Sequence, residues 1–490
     1  MRMRGRTCSL PQGSRRFSPE RLVLLTLLVL LALPAHSPAQ EPASSRFAGH
    51  WEGVIRIPVT PLTIKVDLSR EQGAWSGRID IPMQAAFGLP LSGISTAGDT
   101  IRFTIRDVTG NPTFVGVLAE GSIEGRFTQA GAAYRFNLGR EEVPPPPRPQ
   151  TPQPPFPYHV EEVTYQNGVV TLASTLTLPG SGGPFPAVVL ITGSGGQDRD
   201  ETLFYHKPFL VIADHLTRSG IAVLRADDRG VGGSTGDIGS ATTSDFAEDA
   251  LAGVRMLMQR PEIDPGKIGL LGHSEGGVVA PIAAARSDDV AFIILLAGTA
   301  VPGRDVLIRQ LAEISRANLR VDEWIERQRM LQMAALDAVI AHADPDTIRI
   351  RIERLVRMQS PIADEDEVQR GVQREMARLQ TPWYGYFLTY DPRTALRRVS
   401  VPVLALNGTL DLQVLHDQNL PEIESALREA GNRDVTIRLF EGLNHLFQTA
   451  RTGSPLEYAN IEETIAPEVL DTIREWILER FGYRIPTRFG

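Results

Sequence analysis

Cysteine is almost missing from this chain: Cys8 is the only one among 490 residues. It precedes an N-terminal apolar run, where it cannot serve as a lipidation cysteine, and it leaves with that segment. A cysteine nucleophile, a disulfide framework and a thiolate-ligated metal are thereby excluded from the mature protein, and no metal or organic cofactor is expected. A basic surplus is missing too. Without residues 1–40 the chain has 44 basic and 57 acidic residues, a net charge near −13. Affinity for a phosphate backbone needs a basic face, so a nucleic-acid partner is excluded. The apolar run itself, Leu22–Leu33, has twelve residues with Thr26 alone polar, short of the ~20 that a helix needs to cross a bilayer. Six Arg and a single Glu precede it, and Pro34 and the small residues Ser37 and Ala39 follow at signal-peptidase spacing. Residues 1–39 therefore read as a signal peptide cleaved near Ala39, and the mature chain as secreted or periplasmic with no stable membrane span. Arg15-Arg16 is ordinary n-region charge.

What remains is too long for one core, and two or more domains are expected. Residues 41–142 hold short segments of period-two alternation, "HWEGVIRIPV", "LTIKVDLS", "WSGRIDI", "DTIRFTIRD", "TFVGVLA", "SIEGRFTQ" and "AAYRFNL", separated by turn residues. This pattern predicts a small all-β barrel or sandwich. The Gly49-His50-Trp51 opening resembles the first strand of lipocalin-like barrels, with Trp51 plugging one end. Residues 143–157, "VPPPPRPQTPQPPFP", can form neither helix nor central strand and read as a stiff, solvated linker.

Over residues 158–490 apolar strands alternate with helices. "PAVVLITG", "GIAVLRAD", "KIGLLG", "VAFIILLAG", "VPVLALNG" and "DVTIRLFEG" are near-continuous apolar runs suited to a parallel sheet covered on both faces. "DFAEDALAGVRMLMQRP" reads as a helix with a capping box from Asp245 to Glu248 and a stop at Pro261. Residues 303–398 interrupt the alternation with charged amphipathic helix, ending in "TPWYGYFLTYDP". The fold class is α/β, a mostly parallel sheet with a helical cap over its carboxyl edge.

Gly272-His273-Ser274-Glu275-Gly276 lies between a predicted strand and a predicted helix, and Gly-x-Ser-x-Gly in that context forms a sharp turn that exposes the serine. A serine hydroxyl is a weak nucleophile at neutral pH, so it needs a base and an orienting carboxylate, which follow it in the chain in this architecture. Nine histidines can be tested. His36 leaves with the signal and His50 belongs to the β domain. His159, His206, His215 and His273 precede or adjoin the serine, and His342 lies in the insertion ahead of any suitable acid. His416 and His445 remain. Asp411 stands three residues past "VPVLALNG" and His445 just past "VTIRLF", both at carboxyl edges of adjacent strands. His416 marks a helix start, and Asp417 is the competitor to Asp411. The expected set is Ser274, Asp411 and His445, with backbone N–H groups of Ser194 and Glu275 as an oxyanion hole. "GSGG" lacks the Lys and Thr of a phosphate-binding loop. Asp228 and Arg229 are expected to form an ion pair beneath the site. Trp383, Tyr384, Tyr386 and Phe387 either line the substrate pocket or form the cap's own core.

The patterns "ITGSGGQDRD", "LRADDRGVGGS", "GLLGHSEGG", "NGTLDLQV" and "GLNHLFQ", all within residues 158–490, resemble the α/β-hydrolase superfamily, and within it a group of secreted or periplasmic bacterial serine esterases. The resemblance implies the same three residues and an acyl-enzyme intermediate. Thr192 stands where that group usually has the His of a His-Gly-x-Gly loop. The chain is also similar to prolyl-aminopeptidase-like and dipeptidyl-peptidase-like hydrolases, so the substrate is a small-molecule ester or a short peptide. A peptidase would need carboxylates in the cap to hold an amine, and Glu323, Glu326 or Asp364–Glu367 are the candidates.

Overall fold

In a computed structural model, residues 45–482 are described, apart from 58–60, 85, 107, 109, 130 and 362–363. The signal-peptide expectation falls outside the described residues. The first unit is a closed antiparallel barrel in simple chain order. Its strands are β1 (Gly49–Ile55), β2 (Leu62–Glu71), β3 (Ala74–Ile81), β4 (Ala86–Ala97), β5 (Thr100–Ile105), β6 (Thr113–Ala119), β7 (Ser122–Gln129) and β8 (Ala132–Gly139). The period-two alternation puts Ile64, Val66, Ile79, Ile101, Phe103, Ile123 and Leu138 inside, where each is essentially fully buried. The barrel interior is filled by side chains, with Phe103 stacked on Phe114 at 4.7 Å. Trp51 is buried in this core. Its indole N–H donates to the Phe47 carbonyl (2.8 Å), and the Arg140 guanidinium lies over the ring, 3.5 Å from its centroid. β4 escaped the sequence pattern because it carries Gly88, Pro90 and Gly93, and a register shift between Ser92 and Ser95 interrupts its pairing with β5.

The linker is not a free spacer. Arg148 donates to the carbonyls of Phe204 (2.9 Å) and Ala459 (2.8 Å), and the Gln150 amide donates to the Ile465 carbonyl (2.7 Å). Two polar side chains among the prolines thus strap the segment to the second unit.

That unit contains β9 (His159–Asn167), β10 (Val170–Leu178), β11 (Phe185–Ile191), α1 (Pro208–Arg218), β12 (Ala222–Ala226), α2 (Thr243–Leu257), β13 (Ile263–His273), α3 (Gly276–Ala284) and β14 (Phe292–Leu296). The insertion follows: α4 (Gly303–Ala317), α5 (Asp322–Ile340), α6 (Pro345–Gln359), α7 (Glu365–Leu379), α8 (Pro382–Thr389) and α9 (Arg393–Leu396). The sheet resumes with β15 (Val403–Gly408), α10 (His416–Glu429), β16 (Val435–Phe440) and α11 (Pro467–Phe481). The strand order is β16-β15-β14-β13-β11-β12-β10-β9, parallel except for the antiparallel pairs of β10 with β9 and with β12. Helices α2, α3 and α10 pack on one face, and α1 and α11 on the other. The capping box of α2 lies three residues earlier than the sequence suggested: the Asp245 carboxylate accepts from the Thr242 N–H (2.8 Å) and hydroxyl (2.7 Å). Thr242 outcompetes Asp245 as the cap because it stands one residue before the first helical turn.

The chain leaves β11 toward β12 on one side and returns to β13 on the other. The strand order reverses there, and open α/β sheets bind ligands at the carboxyl ends of the strands flanking such a crossing. The insertion has small cores of its own, Ala335, Ile352, Val356, Val368 and Val372 in one and Ile308, Leu336, Tyr384 and Leu388 in the other.

Candidate active site

The turn after β13 holds Ser274 at φ +53°, in the left-handed region that a side chain with a Cβ enters only under constraint. Two glycines make this turn possible. A Cβ on Gly272 would lie 1.9 Å from the Gly276 carbonyl oxygen, and one on Gly276 would lie 2.2 Å from that of Ile191. β13 therefore runs into α3 with the backbone of β11 packed directly against the turn. The Ser274 side chain faces a cavity of about 360 Å³ whose lining includes Ser194, Glu275 and His445.

His445 is 5% exposed and Asp411 2%. They arrive from neighbouring strand ends, since β15 and β16 pair in register through Gly408 and Phe440. Asp411 Oδ1 accepts the backbone N–H groups of Gln413 (2.9 Å) and Val414 (2.8 Å), and Oδ2 accepts from His445 Nδ1 (2.9 Å). With its hydrogen on Nδ1, the imidazole presents an unprotonated Nε2. The loop is held by Asn444, whose Oδ1 accepts the N–H groups of Leu446 and Gln448 (3.0 Å each). Of the competitors, His416 is the first residue of α10, and Asp417 is exposed and paired with Arg309.

Glu275 sits at the N-terminus of α3, where backbone N–H groups have no partner within the helix. Ser194 lines the cavity from the loop after β11, whereas the neighbouring Gly193 commits its N–H to Glu201 Oε1 (2.7 Å). The Glu275 side chain is buried. Its Oε1 accepts from Thr243 Oγ1 and from Trp383 Nε1, each at 2.7 Å, which joins the turn to cap helix α8. Burial pushes this carboxyl up from its usual range, against the opposing effect of those donors.

The expected Asp228–Arg229 pair does not form. The chain turns here, with the Val231 N–H donating to the Asp228 carbonyl (2.9 Å), and the two side chains find different partners. Arg229 pairs with Asp249 (2.8 Å), while Asp228 accepts from Thr192 Oγ1 (2.8 Å) and the Gln197 N–H (2.9 Å). Burial pushes the Asp228 carboxyl up to about 7. It thus braces the glycine-rich loop that carries Ser194.

Trp383, Tyr384, Tyr386 and Phe387 all belong to the cavity wall. Tyr384, 2% exposed, is part of a cap core as well, and Trp383 stacks on Phe387 at 5.0 Å. Glu323, Glu326 and residues 364–367 are not in that wall. Glu326 pairs with Arg329, and Asp364 and Glu367 form the capping box of α7. Two residues that the elimination passed over are part of the site: His273, set aside because it adjoins the serine, and Glu201 in "QDRDE", which holds it (2.9 Å). The acidic cluster directly after the glycine-rich loop was their only sequence signal.

Residues 205–449 match the family model described as serine aminopeptidase, S33. Over 330 residues the chain is 30% identical to the esterase EstD of Thermotoga maritima, covering 66% of this chain and 70% of that protein. Among solved structures it is similar to an esterase of Pyrococcus furiosus, at 16% identity and a TM-score of 0.43, over 70% of this chain and all of that one. Est1E of Butyrivibrio proteoclasticus is similar at 16% identity and a TM-score of 0.38, over 65% of this chain and 98% of its own.

Proposed function

The chain belongs to the serine aminopeptidase S33 family of α/β-hydrolases and is a hydrolase; from that premise we propose that it cleaves carboxylic esters through an acyl-enzyme on Ser274. The reading is carried by one observation: an imidazole oriented by a buried carboxylate lines the same cavity as a serine held in a left-handed turn. In acylation, Ser274 Oγ attacks the ester carbonyl and its proton passes to His445 Nε2. The negative charge on the carbonyl oxygen is met by the N–H groups of Ser194 and Glu275. Collapse of the tetrahedral intermediate breaks the carbon–oxygen bond, and His445 returns the proton to the leaving alcohol. Water then repeats the sequence on the acyl-enzyme and releases the acid. Asp411 stays ionised throughout, fixing the tautomer and stabilising the imidazolium.

The name of the Thermotoga relative favours an ester substrate, and so does the cavity wall. The cap aromatics offer an apolar surface to a small or medium acyl group. Of the acidic cap residues proposed to hold a peptide amine, Glu326 is in a surface pair and Asp364 and Glu367 are in a helix cap, and none is in the cavity wall. A panel of p-nitrophenyl acyl esters and aminoacyl anilides separates the alternatives: esters should turn over faster at every matched acyl group. Anilide turnover exceeding ester turnover would reverse the assignment to an exopeptidase of the same mechanism.

Export is inferred from residues 1–39 alone. Mass spectrometry of the protein from its native host should find a mature chain starting close to Gln40, and a chain retaining Met1–Ala39 would contradict export by cleavage.

A further inference from the structure

His273 and Glu201 form a second buried histidine–carboxylate pair beside the base. His273 closes β13 and is 7% exposed; its Nε2 is 3.0 Å from the backbone oxygen of His445. A carbonyl oxygen can only accept, so Nε2 carries a hydrogen. Nδ1 is 2.9 Å from Glu201 Oε1, which also accepts the Gly193 N–H at 2.7 Å. A backbone donor on that oxygen stabilises the carboxylate, and an imidazole is the stronger base of the two groups, so the shared hydrogen belongs to Nδ1. We infer that His273 is a buried imidazolium ion-paired with Glu201, and that this pair positions the oxyanion loop and the general base. The positioning role rests on the reaction proposed above; the charge state does not.

The pair ties three segments that are remote in sequence. Gly193 stands next to Ser194, His273 next to Ser274, and the third anchor is the backbone of His445 itself. Two of these anchors are main-chain groups, so the pair fixes where the Ser194 N–H and the His445 ring lie relative to the Ser274 hydroxyl. The loop that supplies the carboxylate is strained to do so: Glu201, Phe204 and Tyr205 have φ of +52°, +53° and +65°, in the left-handed region that side chains rarely enter. Burial opposes the charge on His273, but the Glu201 carboxylate outweighs it and holds the ring above the usual histidine range. The other titratable groups around the pair are His445, whose ring centroid is 4.8 Å from that of His273, with Asp411 behind it, and Asp228 on the side of Glu201.

Nitrogen-15 spectra of the full chain labelled at histidine test both halves. His50, which sits between Asp67 and Glu52 on the barrel and is also held above the usual range, is replaced by Asn to clear the spectrum. One ring should keep imidazolium shifts at pH 8, and that signal should vanish in His273→Gln. In Glu201→Gln it should be neutral at pH 7, and kcat on a p-nitrophenyl ester should fall by about 10- to 100-fold with KM changed less than about threefold. A neutral His273 at pH 7 in the parent protein would overturn the charge state. An imidazolium accompanied by undiminished kcat in Glu201→Gln would overturn the positioning role. The titration of the parent does not depend on either disruptive variant folding. If Ser274 proves dispensable for hydrolysis, the reaction itself fails while the spectra still report the pair.

Discussion

Ser274→Ala should lower kcat on an ester by roughly 10⁵- to 10⁶-fold, the loss that follows when a serine nucleophile acting with its base is removed. The substitution deletes one oxygen and keeps the Cβ, so the left-handed turn at φ +53° and its packing against the β11 backbone are unchanged. Stability should stay within about 1 kcal/mol of the parent. The activity left over would come from the Ser194 and Glu275 N–H groups and from binding, which in hydrolases of this mechanism retain about 10³-fold over water or more. Steady-state rates together with a urea unfolding curve check both statements. A loss below about 100-fold in a folded variant would mean that Ser274 is not the attacking atom.

Asp411→Asn should cost about 10⁴-fold in kcat, and the bonding on this carboxylate says why. Oδ1 already accepts two backbone N–H groups, from Gln413 and Val414. An asparagine must place its carbonyl oxygen there, because an NH₂ cannot face two donors. The NH₂ then points at His445 Nδ1 and demands an acceptor. The ring shifts its hydrogen to Nε2, where it can no longer take the proton of Ser274. The fold should survive, since both backbone bonds are kept. Stopped-flow rates on an activated ester measure the loss, and a variant within about tenfold of the parent would mean that the tautomer is not what Asp411 controls.

The parts legible in the sequence were those governed by a local period or a local motif. β11, β12, β14, β15 and the second half of β13 are nearly continuous apolar runs because both sheet faces are covered there, and such runs admit few other readings. The elbow around Ser274 was legible because its glycines are fixed by contacts within a few residues and with the adjoining strand. His445 followed from a shortage, since few histidines stand downstream of the serine, and Asp411 from its place three residues past a predicted strand. The hairpin β9–β10 was missed because its outer strand breaks the polar–apolar alternation at Glu161-Glu162 and carries only Tyr165 buried. The linker's attachment depends on Arg148 and Gln150 meeting carbonyls more than three hundred residues away in the chain, which no window reveals. The same holds for Glu201 and His273. Their partners include backbone groups, Gly193 N–H and the His445 carbonyl, that have no side-chain signature. The Asp228–Arg229 error has the opposite cause, since neighbours in sequence were assumed to be neighbours in space.

The central claim, that Ser274 is acylated with help from His445 and Asp411, is tested most directly by a fluorophosphonate probe read out by mass spectrometry of the intact and digested chain. One adduct per chain should form on the peptide containing Ser274, more slowly in Asp411→Asn and not at all in Ser274→Ala. A parent protein that takes up no probe, or a Ser274→Ala variant labelled as fully as the parent, would contradict it.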